Sequence, residues 1–253
     1  MDAQRERERA LQQAYDADCR SYDRWRQCGI PTRYRSRTLD NWQPQGAAQQ
    51  LAGKIVRRYV DDLEANLDAG DGLVLSGPPG TGKTHLAAGI LTAAAQRGII
   101  GRYISWPSAV ERHKATFGKR DDDDAELLED LRTGRLLVLD EIGVRSSSDY
   151  DRGLLFELVD ARYSGEWSTV VCTNLTPAEL DTVGERTADR LREMAATVVI
   201  PGTSRRIAAG TDDALRSAPW ALQPPEKPSE RMEISVDGQM QECTLSVNGK
   251  EVW

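Results

Sequence analysis

From Gly72 to Pro201 short apolar runs alternate with longer amphipathic ones. "GLVLSG", "GRYISW", "RLLVLDEIG", "STVVCTN" and "ATVVI" carry too few polar positions for a strand with one wet face. They predict five short strands buried on both sides. Between them, "THLAAGILTAAAQRG" reads as a helix stopped by Gly98. A second helix is predicted around Ala109 to Phe117, a third at "AELLEDLRTG" and a fourth at "SDYDRGLLFELVDARY". "TPAEL" predicts the start of another, with Thr176 as N-cap, Pro177 in the first turn and Glu179 closing a capping box. Strands alternating with helices imply an α/β fold with a five-stranded parallel sheet covered on both faces.

The flanks read differently. Over residues 4–28, Leu11, Tyr15, Cys19, Tyr22 and Trp25 recur at steps of four, four, three and three, which puts them on one face of a helix. That stripe either packs on its own domain or docks on another protein, as aromatics beside arginines do at interfaces. Gly29 and Pro31 end the helix, and "CGIPTRYRSRTLDNW" leads into the core. Beyond Gly210, "PWALQPPEKPSE" is a proline-rich linker. Asp237-Gly238 and Asn248-Gly249 then mark two hairpin turns and predict a small β meander. The expected organisation is a partner-docking helical region at 1–45, a central domain at 46–212 and a linker with a β-hairpin extension at 213–253.

Composition narrows the classes. The formal net charge of -7 over 253 residues gives no global basic field, so nucleic acid would have to be held by a local stripe of Arg and Lys. The four cysteines are scattered without a CxxC pair, which argues against a zinc site and for a reducing, cytoplasmic setting. The N-terminus is charged where a signal peptide needs an apolar core. No apolar run reaches the roughly 20 residues of a membrane span.

The chemistry lies in "SGPPGTGKTHLAAG". After a strand and before a helix, Gly77, Pro78, Pro79, Gly80, Thr81, Gly82, Lys83, Thr84 and His85 form a loop whose N–H groups can face phosphate oxygens. Lys83 can reach the β and γ phosphates and the Thr84 hydroxyl can ligate Mg²⁺. The helix N-terminus adds its own positive end. The strand "LLVLDEIG" brings Asp140 to the same Mg²⁺ and leaves Glu141 to polarise a water for attack on the γ-phosphate. ATP and Mg²⁺ are the expected cofactors. "VVCTN" can place Thr173 and Asn174 between those two strands. "GERTADRLRE" sets Arg186 and Arg190 one turn apart with Arg192 beside them. It is either a solvated basic face or the source of an arginine finger for a neighbouring subunit. Arg205 and Arg206, after the last strand, can supply a further cation to the γ-phosphate.

These strings together resemble the AAA+ ATPases, and more closely the DnaC-type helicase loaders and their IstB-like relatives. The resemblance runs from about Gly29 to Gly210. It implies sensor 1 at Asn174, a trans-acting finger at Arg190 and sensor 2 at Arg205. It implies a slow, switch-like ATPase that assembles side by side through the ATP site. It also implies single-stranded DNA contacts at Lys114, Phe117 and Tyr150, residue types suited to base stacking and phosphate tracking. A replicative DnaB-type helicase is the implied partner, docked by the stripe of Leu11, Tyr15, Tyr22 and Trp25. Three features depart from the pattern: a short N-terminal region, the "DDDD" run at 121–124 next to the DNA contacts, and the C-terminal extension. Two rival readings are an IstB-like regulator of transposition and an adaptor whose ATP site is structural.

Overall fold

The five apolar runs pair into one all-parallel sheet in the order β2-β3-β4-β1-β5. The computed structural model describes residues 13, 16, 19, 20, 22–115, 129–143 and 148–204, and the backbone of 231–236 and 239–244. The strands are β1 (Gly72–Ser76), β2 (Gly101–Ser105), β3 (Leu136–Ile142), β4 (Ser168–Thr173) and β5 (Ala195–Val199). β1 and β4 are buried at every residue, whereas the edge strands β2 and β5 expose part of theirs. This is why the central strands read as unbroken apolar runs. Besides helical stretches at 22–27 and 129–133, the helices are α1 (Ala47–Asp61), α2 (Leu63–Asp68), α3 (Lys83–Gln96), α4 (Trp106–Ala115), α5 (Asp149–Ser164) and α6 (Glu185–Met194). None of them is long and apolar enough to cross a membrane.

Alternation along β1 divides the core. Leu73 and Leu75 join α1, α2 and α3 on one face, and Val74 joins α4, α5 and α6 on the other. α3 lies almost wholly inside, and its small residues permit this. A Cβ on Gly89 would come within 2.6 Å of the Leu39 side chain, so the segment before α1 lies directly on the helix.

That segment changes the reading of the N-terminal stripe. Residues 22–27 are helical, and Trp25 is only 3% exposed, packed in the same core as Cys28, Ile30, Leu39 and Trp42. Tyr22 is half-buried and stacks on it at 5.9 Å. The Tyr103 amide donates to the Cys28 carbonyl at 2.6 Å and holds the stretch against β2. Trp25 therefore faces its own domain and is not available for docking, and the packed unit begins before residue 45. The reason is local. Gly29 adopts φ +81°, which turns the chain back over the sheet beside Trp25. Leu11 and Tyr15 lie outside the described residues.

Two other expectations need correction. Thr176 and Glu179 do make reciprocal hydrogen bonds, at 2.9 and 3.3 Å, yet they open a turn and a 3-10 stretch at Leu180–Val183. Gly184, at φ 117°, then redirects the chain into α6. The helix expected around Ala109 begins earlier, at Trp106, and is described to Ala115. At the C-terminal end, β6 (Arg231–Val236) and β7 (Gln239–Thr244) pair antiparallel with Val236 opposite Gln239. Both turn signals, Asp237-Gly238 and Asn248-Gly249, and the proline-rich linker lie outside the described residues.

Candidate nucleotide site

β1 stops at Ser76, and α3 starts at Lys83. The loop between them needs glycine for two reasons. Gly80 and Gly82 have φ of 79° and 101°, where a side chain is strained. A Cβ at either would also lie 2.2 Å from a neighbour, Ser204 for Gly80 and the Trp42 ring for Gly82. The Thr81 hydroxyl donates to the Pro78 carbonyl at 2.9 Å and braces the turn. Pro78 and Pro79 lie on its exposed side. His85 behaves differently from the rest of the string. Its Nε2 lies 2.9 Å from the Thr38 carbonyl and its ring stands edge-on to Trp42 at 5.5 Å. The imidazole belongs to the contact between α3 and the lead-in segment, so only the backbone of His85 belongs to the phosphate loop.

Lys83 is buried, and its ammonium donates to the Gly77 carbonyl (2.6 Å), the Pro78 carbonyl (2.9 Å) and Oδ1 of Asn174 (2.8 Å). Asn174 reaches it because β4 lies between β3 and β1. The Gly77 amide donates to the Thr173 carbonyl, and the Ser76 hydroxyl donates to the Leu175 carbonyl at 2.6 Å. The end of β4 is thereby tied to the start of the loop.

Asp140 and Glu141 point different ways because the strand bulges. The β3–β4 register advances three residues on β3, Leu139 to Ile142, against two on β4, Val171 to Thr173. The extra residue turns Asp140 inward and Glu141 outward. Glu141 takes φ 62°, a left-handed conformation rare outside glycine and costing about 1–2 kcal/mol. Asp140 is 4% exposed. Its Oδ2 accepts from the Thr84 hydroxyl at 2.9 Å and from the Tyr103 hydroxyl at 2.8 Å, and its Oδ1 accepts from the Glu141 amide at 2.8 Å. Burial, then the Asp140 charge, push the Tyr103 hydroxyl far above the usual tyrosine range, so it remains a donor. Tyr103 carries no motif. Only the pairing of β2 with β3 brings it here.

The arginines divide. Arg190 pairs with Asp160 at 2.5 Å and lies 4.6 Å from the Tyr163 ring centroid and 5.8 Å from that of Phe156, all on α5. Arg192 pairs with Asp181 at 2.8 Å. Arg186 is exposed. Arg205, Arg206 and Phe117 lie outside the described residues.

Away from the loop, the end of α4 meets the start of α5. Lys114 lies over the Tyr150 ring at 5.1 Å and pairs with Asp151 at 3.4 Å. The structure thus brings together two of the three residues expected to contact DNA, with His113, which the sequence reading passed over, against Tyr150.

A family described as "IstB-like ATP binding protein" matches residues 45–210. The replicative helicase loader DnaC of Escherichia coli (strain K12) is 33% identical over 165 residues, covering 65% of this chain and 66% of the relative. The match thus spans slightly less than two thirds of that protein's length. Among solved structures, the crystal structure of the DnaC helicase loader superposes with a TM-score of 0.61 at 30% identity, covering 67% of this chain and 99% of the other. The DnaI crystal structure, at 22% identity, has the same fold, with a TM-score of 0.58 over 70% of this chain and 95% of the other.

Proposed function

We propose, on the premise that the chain belongs to the family of IstB-like ATP binding proteins, that it is an ATP-dependent loader for a replicative DnaB-type helicase. The observation that carries this reading is the convergence of Lys83 and Thr84, at the start of α3, with Asp140 and Asn174 at the ends of the adjacent strands β1, β3 and β4. Ligands of open parallel sheets bind at such strand ends. The likeness to a helicase loader at 33% identity supports the choice of task.

The residues fit a magnesium nucleotide. Thr84 and Asp140 already share a hydrogen bond and would hold Mg²⁺ between them, and the ion would neutralise charge on the phosphate oxygens. Lys83 binds the β and γ phosphates, and Asn174 orients the terminal group. Glu141 accepts a proton from the attacking water as its oxygen bonds to the γ-phosphorus, the bond to the β-γ bridging oxygen breaks, and ADP and phosphate leave. Turnover is slow and acts as a release switch. Arg190 serves a neighbouring subunit's site after leaving Asp160, and Arg205 supplies the second cation. Lys114, Phe117 and Tyr150 contact single-stranded DNA. Helicase docking falls to the stripe ahead of Trp25, at Leu11, Tyr15 and Tyr22.

The test is capture of the host's replicative helicase by the purified full chain, with and without ATP, followed by transfer of the helicase to single-stranded DNA. ATP-dependent transfer is expected. The family match to an IstB-like ATP binding protein leaves regulation of transposition as the alternative reading. Absence of helicase capture together with ATP-dependent binding to duplex DNA would replace the loader by that reading.

A further inference from the structure

Tyr150 is an exposed ring held from three sides. Its hydroxyl lies 2.5 Å from Nδ1 of His113, with the two ring centroids 6.0 Å apart. The Lys114 ammonium stands 5.1 Å from the ring centroid. Its backbone sits in the first turn of α5, where Ser148 and Asp151 form a capping box, with the Asp151 amide donating to the Ser148 hydroxyl at 3.1 Å and the Ser148 amide to Asp151 at 3.3 Å. Burial pushes the Asp151 carboxyl up, but the box and the neighbouring Lys114 together outweigh it and hold the group below its usual range, so it stays charged and paired with Lys114. His113 also lines a small crevice together with Trp106, Ala109, Arg132, Leu154 and Leu158.

This restraint serves packing poorly, because Tyr150 is still 37% exposed. An exposed tyrosine gains little burial from being held and gives up rotamer freedom. A fixed aromatic face beside a cation is instead what a base and its phosphate require. We propose that His113 is a positioning residue for single-strand binding: it holds the Tyr150 hydroxyl so that the ring face away from Lys114 is set to stack on a base. With a neutral imidazole the hydroxyl donates to Nδ1, and Lys114 remains next to the ring for the adjoining phosphate. The inference rests on the reading of Tyr150 as a DNA contact.

The experiment measures binding of a fluorescent oligo-dT to the full chain with Mg·ATP. Tyr150→Ala is expected to weaken binding by about tenfold or more, as loss of one stacked base does. Tyr150→Phe and His113→Leu should each weaken it by about three- to tenfold, the scale of one hydrogen bond. The double variant His113→Leu/Tyr150→Phe should be no worse than either single one, because both remove the same contact. His113→Asn, whose side-chain amide reaches the position of Nδ1, should restore most of the affinity. Thermal melting and ATP affinity of each variant show that it is folded. Unaltered binding in His113→Leu, or an additive double variant, overturns the positioning role. Unaltered binding in Tyr150→Ala overturns the DNA contact itself and so separates the two failures.

Discussion

The hydroxyl of Tyr103 donates to Oδ2 of Asp140, the same oxygen that accepts from Thr84. The carboxylate is therefore gripped from β2, from α3 and from its own strand. Its position is set by the sheet pairing rather than by its rotamer alone. Tyr103→Phe removes one donor from a buried charge, which costs about 1.5–3 kcal/mol. The urea midpoint measured without nucleotide should fall accordingly. An unshifted midpoint would mean that Thr84 and the Glu141 amide satisfy the carboxylate without help.

At the ATP site, Lys83→Ala should abolish nucleotide binding and Glu141→Gln should keep binding while stopping turnover. The backbone adds a distinguishing variant. Because Glu141 sits at φ 62°, Glu141→Gly should stabilise the fold by about 1 kcal/mol relative to Glu141→Ala, and neither should hydrolyse ATP. Denaturation and phosphate release read the two effects separately. Turnover by Glu141→Gln equal to that of the parent would remove Glu141 from the mechanism.

Trp25→Ala should cost about 3–5 kcal/mol, the range for emptying a buried aromatic site. Deleting residues 1–21 should leave the melting temperature and ATP turnover near those of the full chain and reduce helicase capture. A mild effect of Trp25→Ala would show that the ring is held less tightly than its 3% exposure implies.

For assembly, Arg190→Ala should lower turnover at concentrations where subunits associate, by up to the roughly 10³- to 10⁵-fold that an arginine finger contributes. Asp160→Asn should raise turnover by loosening the arginine's present partner. Mixing Arg190→Ala with Lys83→Ala protein should restore activity at mixed interfaces. If Arg186→Ala shows this complementation and Arg190→Ala does not, the exposed arginine is the finger and the Asp160 pair is structural.

Stability should also fall at alkaline pH. Burial first, then the nearby Asp71 charge, push Tyr59 up to about 12, with the Ser168 hydrogen bond and Arg162 opposing. The unfolded chain releases this proton near pH 10 while the folded one keeps it. Stability is therefore complete below about pH 10 and falls as pH rises towards 12, by about 1.4 kcal/mol per pH unit for this group. Denaturation series at pH 8 to 11 should show the slope, and Tyr59→Phe should lessen it by this group's share while the raised Tyr103 keeps its own.

What could be read from the sequence was local. The glycine spacing before Lys83, the apolar runs and the Asp140-Glu141 pair are set by neighbours a few residues away. The Thr176–Glu179 hydrogen bonds were legible too, but not the turn and 3-10 stretch that follow in place of a helix, because Gly184 redirects the chain. Contacts that cross the sheet were not legible. Tyr103 meets Asp140 and His113 meets Tyr150 across 37 residues, and Gln49 donates to the Pro201 carbonyl across 152. Arg162 is similar: it lies fully buried and ties the Leu131 and Ser168 carbonyls together, although nothing in its surrounding string marks it as interior. The stripe at Trp25 shows the other limit. A periodic apolar face says that something covers it and does not say what.

An ammonium group has three N–H donors, and those of Lys83 are met by two backbone carbonyls and the Asn174 amide oxygen. An arriving phosphate oxygen can be met only if one of these is given up. The carbonyls are fixed by the loop, whereas Asn174 can turn away about its own side-chain bonds. Nucleotide entry is then an exchange of ligands at a single nitrogen, and its strength is the difference between two sets of hydrogen bonds. The exchange reaches beyond the loop, because Asn174 is followed by Leu175, whose carbonyl holds Ser76 at the end of the central strand.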